Sequence, residues 1–330
     1  MLTLTKSLFA LMIGFILTVV FGLIMIPLLK RIKCGQKINV YVDAHRSKAG
    51  TPTMGGLIFV IPTLITVLAL LVTGKMEYSV NLFIILFVFV AYCGIGFLDD
   101  YISLKKNRNK GLTQFQKLIL QFIVALVFYI LYREFGSGDS VLRITLFNFE
   151  WDLNWFYGVF ILFLLVGTSN AVNLTDGLDG LAGGLSAIAY LAFGLMAWGS
   201  SWIAGHQDIG IFCFILVGAI IGFLVYNTHP AKVFMGDTGS LTLGATLATI
   251  AILTSHELSL AVIGGVFVIE TLTVIIQITS VVLFKKRVFL MTPIHHHFER
   301  LGWSETDIVK LFWIVGFVLS LIALIYGVWL

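Results

Sequence analysis

Val80-Asn-Leu-Phe-Ile-Ile-Leu-Phe-Val-Phe-Val-Ala-Tyr-Cys-Gly-Ile-Gly-Phe-Leu-Asp-Asp100 decides the fold. Residues 80–98 carry no charge, and two adjacent carboxylates follow at once. About 20 mostly apolar residues in a helix cross the hydrocarbon core of a bilayer. Working outward, the same pattern recurs, giving about ten apolar runs: 7–29, 54–73, 80–98, 115–132, 153–172, 181–204, 209–226, 240–255, 258–284 and 308–330. The chain of 330 residues is 59% hydrophobic and 12% charged, against about 25% charged in a soluble domain. Lipid must therefore be the bulk solvent. The expected fold is all-α, one polytopic integral membrane domain over 1–330. The first run has no small-residue cleavage site behind it and reads as a retained helix. Run 240–255 is short. Run 258–284 is long and contains Glu270, so a bent or broken helix is expected near that residue. Residues 139–151 alternate in part and are rich in β-branched and aromatic side chains, which predicts a small hairpin between helices four and five.

Ten helices put both termini on one side. One set of loops, 30–53, 99–114, 173–180, 227–239 and 285–307, holds with its adjoining helix ends 17 of the 21 lysines and arginines. The other side keeps only Lys6, Lys75, Arg133 and Arg143. The positive-inside rule makes the first set cytoplasmic, which places both termini and the hairpin outside. A net charge of +4 is too small to suggest nucleic-acid binding. Cys34, Cys93 and Cys213 are far apart and form no metal or redox spacing.

The five basic loops also hold the unusual residues. Asp99 and Asp100 end an apolar run, where carboxylates oppose the helix dipole and repel each other. Asn170-Ala-Val-Asn-Leu-Thr-Asp-Gly-Leu-Asp-Gly180 has two Asn and two Asp and no Lys or Arg. Asp176 and Asp179 are three apart and would share a face on a helical turn, while Gly177 and Gly180 permit close backbone approach. One helix cap needs fewer polar residues, so the carboxylates call for a metal or another loop. Asn227-Thr-His-Pro-Ala-Lys-Val-Phe-Met-Gly-Asp-Thr-Gly-Ser240 sets Asp237 between glycines, near the loop aromatic Phe234; the plain alternatives are a helix cap and an interfacial anchor. Asp43-Ala-His-Arg-Ser-Lys-Ala-Gly-Thr-Pro-Thr-Met-Gly-Gly56 combines basic residues with hydroxyls near a helix start, as an anion site does. Pro293-Ile-His-His-His-Phe-Glu299 has histidines too close in sequence to face one zinc ion together, so hydrogen bonding to a phosphate or sugar is expected. Clustered aspartates repel a diphosphate; Mg²⁺ resolves this by taking one or two carboxylates plus phosphate oxygens. Lys48 and Lys117 can add positive charge. No Walker A or kinase-type glycine loop occurs. The chemistry expected is phosphate transfer at the cytoplasmic face.

Asp99-Asp100, Asn173-Leu-Thr-Asp-Gly-Leu-Asp-Gly180, Val233-Phe-Met-Gly-Asp-Thr-Gly-Ser240 and Pro293-Ile-His-His-His-Phe-Glu299 together resemble the polyprenyl-phosphate N-acetylhexosamine-1-phosphate transferase superfamily, and within it the phospho-N-acetylmuramoyl-pentapeptide transferase family, over essentially the whole chain. The resemblance implies a Mg²⁺-dependent bacterial cell-membrane enzyme of peptidoglycan synthesis, dimeric and with a bent ninth helix. It would pass phospho-MurNAc-pentapeptide from UDP-MurNAc-pentapeptide to undecaprenyl phosphate, forming lipid I and UMP. By the same match, Asp237 is the Mg²⁺ ligand. Asp99 and Asp100 lie beside the metal and the lipid phosphate, with Asp99 as the family's proposed base. Lys48, Thr53, Lys117, Asn173, Asp176, Gly177, Asp179, Asn227 and Phe234 contribute to substrate binding, Phe234 by stacking on uracil; His295, His296 and His297 lie toward the sugar-peptide. Because a phosphate monoester is largely a dianion at neutral pH, a base, a positioning group and an aspartyl-phosphate nucleophile all remain open for Asp99. A UDP-GlcNAc-1-phosphate transferase is the alternative within the superfamily. A lipid-linked sugar flippase or transporter is the alternative of another class, and it requires a polar path across the bilayer.

Overall fold

The computed structural model describes residues 2–32, 50–105, 111–144, 149–199 and 206–328. Among them are twelve helices: α1 Leu2–Arg31, α2 Gly56–Val72, α3 Val80–Lys105, α4 Gln114–Phe135, α5 Phe156–Thr175, α6 Leu181–Gly199, α7 Gln207–Asn227, α8 Gly236–Leu253, α9 Glu257–Ile263, α10 Gly265–Phe284, α11 Ile294–Arg300 and α12 Glu305–Val328. Eight of these are long and apolar enough to cross a membrane, and α2 is apolar but has 17 residues. The chain is thus an all-helical polytopic membrane protein.

Each expected run is helical over most of its described residues. Run 258–284 is broken rather than continuous: α9 stops at Ile263, and α10 starts at Gly265. The Gly264-Gly265 pair is the cause, since such pairs weaken the helical ladder. The break comes six residues before Glu270, which sits well inside α10. The expected hairpin is present as β1 Val141–Ile144 and β2 Phe149–Asp152, antiparallel, with Val141 opposite Asp152 and Ile144 opposite Phe149. It packs against α9.

At the centre, α7 lies against α1 and α6, while α8 lies against α3 and α5. From Thr238 to Leu253, α8 is wholly buried. Two of its hydroxyls are met within the helix: Thr242 donates to the Thr238 carbonyl (2.7 Å) and Thr249 to the Ala245 carbonyl (2.9 Å). Small side chains let membrane helices approach closely. At Gly96 of α3 the approach is extreme, for a β-carbon there would overlap the carbonyl group of Asp237. That contact presses the start of α8 against α3, beside Asp99 and Asp100.

Candidate active site

Four helices bring their polar residues together at one end of the bundle. Asp99 and Asp100 are not at a helix end as the sequence suggested, because α3 runs on to Lys105. Asp99 Oδ1 accepts from the Leu112 backbone N–H (2.9 Å), which fixes the start of α4; Asp99 Oδ2 lies 3.9 Å from Lys117 Nζ. Lys117, one turn into α4, donates to Asp237 Oδ2, and Asn173 of α5 donates to Asp237 Oδ1 (2.8 Å) and to Ser240 Oγ (2.9 Å). Asp237 therefore does not cap α8. The N-cap position is Met235, which makes no side-chain cap bond.

Asp100 does that work from another helix. Its carboxylate accepts from the backbone N–H of Thr238 (3.0 Å), the Thr238 hydroxyl (2.6 Å) and the backbone N–H of Asp237 (3.3 Å). It is 8% exposed, so its anion is held by the donors of a helix N-terminus. Thr53 is buried beside it, with its hydroxyl against Gly236. The preceding loop clasps the strand-like segment before α8: Phe234 N–H donates to Pro52 (2.8 Å), Gly55 N–H to Phe234 (2.8 Å) and Gly56 N–H to Met235 (2.9 Å). The Phe234 ring stays half-buried. Lys48 lies outside the described residues.

Asp176 and Asp179 do not share a helical face. Asp176 is the C-cap of α5, and 176–180 form turns. Burial, then the negative charges of Asp237, Asp100 and Asp179, hold the Asp176 carboxyl well above the usual carboxylate range. Asp179 finds its partners on another loop: its Oδ2 meets His229 Nδ1 (3.1 Å) and the Ala231 N–H (3.1 Å), while its own N–H donates to Glu305 Oε1 (2.6 Å). Asn227 is 3% exposed and joins two loops, accepting from Gly180 N–H (3.1 Å) and donating to the Val233 carbonyl (3.0 Å). Gly177 lies under His295.

The three histidines fall on the short helix α11 and diverge. His295 Nδ1 meets Glu270 Oε1 (3.0 Å), His296 Nδ1 meets Glu299 Oε2 (2.6 Å), and His297 Nδ1 accepts from Leu290 N–H (3.2 Å). They form no common metal site. Among the described residues, one trio of His and acidic side chains brings its ligand atoms within 4.8 Å of one another: Asp179, His229 and Glu305. The hydrogen bonds just given already make that trio a latch between loops. Sequence reading missed His229, Glu305 and the pairing of Glu270; Glu270 alone had left a signal, as a lone acid in an apolar run.

The chain matches known proteins over nearly its whole length. Glycosyl transferase family 4 matches residues 82–255, and phospho-N-acetylmuramoyl-pentapeptide-transferase signature 1 matches 48–60. The phospho-N-acetylmuramoyl-pentapeptide-transferase of Bacillus licheniformis is 48% identical over 324 residues, covering 98% of both chains. The enzyme of that name from Bacillus subtilis is 48% identical over 325 residues, again 98% of both. That of Geobacillus thermodenitrificans is 48% identical over 323 residues, 97% of this chain and 98% of its own. The chain belongs to the phospho-N-acetylmuramoyl-pentapeptide transferase family. It is a transferase. In this member of the phospho-N-acetylmuramoyl-pentapeptide transferases, the matched span 82–255 contains Asp99, Lys117, Asn173 and Asp237, and the signature contains Thr53.

Proposed function

We propose that the protein transfers phospho-MurNAc-pentapeptide from UDP-MurNAc-pentapeptide to undecaprenyl phosphate, with Mg²⁺, forming lipid I and UMP at the cytoplasmic face of a bacterial cell membrane. The observation that carries this reading is the meeting of Asp99, Lys117, Asn173 and Asp237 from four helices. The same reading takes α2 and α8 as further membrane helices, ten in all with α9–α10 as one. It puts both termini outside on the strength of the 17 to 4 division of basic residues. A homodimer in the membrane belongs to it by family resemblance alone.

The carboxylates fit Mg²⁺. Lys117 lies against Asp237 with Asp99 3.9 Å away, so a cation is already accommodated between two hard oxygen donors. Asp237, with Asp99 beside it, would hold the metal. When bound, Mg²⁺ neutralises charge developing on the diphosphate. The chain's own residues do the rest. The reaction breaks the bond from the sugar-bearing phosphorus to the bridging oxygen and forms one to an oxygen of undecaprenyl phosphate. Lys117 brings an ammonium to that anionic centre. Asn173 fixes the Asp237 carboxylate through Oδ1, and Asp100 fixes the turn of α8 that carries it. Phe234, half-exposed on a pinned loop, offers uracil a stacking face; Asp176, Asp179 and Lys48 surround the nucleotide-sugar, with His296 and His297 toward the sugar-peptide. A transport path finds no support in Glu270, which is fully buried against His295.

The deciding assay supplies undecaprenyl phosphate with either UDP-MurNAc-pentapeptide or UDP-GlcNAc and measures UMP. Release from the first and little from the second is expected. Equal use of UDP-GlcNAc would remove the muramoyl assignment, and no UMP from either would remove the transferase chemistry proposed. For orientation, a cysteine at Asn107 should resist an impermeant thiol reagent on intact cells; labelling there would reverse the topology.

A further inference from the structure

Glu270 is a carboxylate within an apolar helix, and nothing above gives it a task in the reaction. Its side chain and that of His295 are each 0% exposed. Glu270 Oε1 lies 3.0 Å from His295 Nδ1, while Glu270 Oε2 and His295 Nε2 have no hydrogen-bond partner. A buried polar atom without a partner costs free energy, and a buried charged pair is often replaced by apolar residues without loss. Fold stability is thus a poor account of this pair.

Its position offers a better one. Gln277 follows Glu270 by seven residues and so lies on the same face of α10. Gln277 ties down the segment before α11, accepting from the N–H groups of Val288 and Phe289 (3.0 Å each) and donating to the Phe289 carbonyl (3.0 Å). Glu270 grips α11 itself, one level deeper in the bundle. Held there, His295 directs Nε2 at Gly177, where a β-carbon would overlap it. Gly177 is flanked by Asp176 and leads to Asp179, on the turn that follows Asn173. A carboxylate at Nδ1 keeps a proton on that nitrogen and fixes the ring orientation.

We propose that Glu270 is a positioning residue for nucleotide-sugar binding: through His295 it braces the Gly177 turn and so sets the Asn173–Asp179 segment against the start of α8. The inference rests on the transferase reading above. The brace reaches the substrate loop from α10, whereas Asp99 and Lys117, nearest the acceptor phosphate in that reading, belong to α3 and α4. The two substrates should therefore respond differently.

The test uses the full-length protein in detergent with both substrates varied separately. Glu270→Gln is expected to raise KM for UDP-MurNAc-pentapeptide about tenfold, the effect of one lost positioning contact. KM for undecaprenyl phosphate and the melting temperature should stay near wild type. Gly177→Ala, which meets the brace from the loop side, should shift the same KM. The double variant should lose less than the product of the two single effects, because both break one unit. It also serves if Glu270→Gln folds poorly, since the Gly177→Ala split between the two KM values can be read alone. An unchanged nucleotide-sugar KM in both variants, equal shifts in both KM values, or fully multiplicative effects would overturn the inference. Wild-type protein that releases no UMP would instead overturn the transferase reading on which it rests.

Discussion

Buried acids occur at both ends of the bundle, and their partners differ. At the hairpin end, Asp208 accepts from the Ser79 hydroxyl and Glu257 from the Tyr157 hydroxyl, and neither has an ion-pair partner among the described residues. At the other end, Asp99 and Asp237 share the Lys117 ammonium, and Asp100 is held by two backbone N–H groups and a hydroxyl. A hydroxyl partner suits an acid that ties elements together. A lysine set between two carboxylates from different helices, beside loops carrying Asp176 and Asp179, suits a place where phosphate and metal charges are exchanged. One end fastens the helices, and the other concentrates charge.

The widest separation between the ends should come from Asp237→Asn. It keeps the shape and the Asn173 contact but weakens cation binding, so turnover should fall at least roughly a hundredfold, as when one transition-state contact is removed. Gel filtration should still show a monodisperse protein. Near-normal turnover with unchanged Mg²⁺ dependence would reduce Asp237 to a structural acid like those at the hairpin end.

Phe234→Ala sharpens the picture within the charged end. Base–aromatic stacking is worth about 1–3 kcal/mol, roughly 5- to 150-fold in affinity. The loss should fall on UDP-MurNAc-pentapeptide and spare undecaprenyl phosphate, as substrate-varied kinetics will show. Equal loss for both would make the ring a lipid-interface anchor.

Asp100→Asn tests whether an acid at this end can be mainly a helix cap. An amide nitrogen facing the donors of α8 loses part of the cap, which costs about 0.5–2 kcal/mol. A lower melting temperature with a matching moderate loss of kcat is expected. Full stability with complete loss of turnover would instead make Asp100 a direct participant in the chemistry.

The smallest effect on activity should come from the hairpin end. Glu257 is 3% exposed and accepts from the Tyr157 hydroxyl. Glu257→Gln should lower the melting temperature in detergent, because it weakens that buried contact, while leaving kcat/KM unchanged. A large loss of turnover in Glu257→Gln would erase the contrast between the ends.

The sequence by itself determined the helices and the residues from which a site is built. Apolar runs of membrane length are strong local signals, since every backbone polar group in lipid must be satisfied within its own helix. The aspartates, asparagines and histidines stood out because polar residues are costly beside such runs. Helix ends were less legible: α3 carries Asp99 and Asp100 past its apolar stretch, and only packing against α8 shows why, as Asp100 meets the donors of another helix 137 positions away. The histidine run gave no hint that it would form α11 with three different partners, because hydrogen bonds between distant segments leave no periodicity. The same holds for Glu270, whose expense was visible but whose partner His295 comes 25 residues later, beyond a loop. Tertiary structure alone decided which carboxylate faces Lys117, which one caps α8 and which one latches a loop. Identical side chains acquire those separate tasks only from the charges and donors that folding places around them.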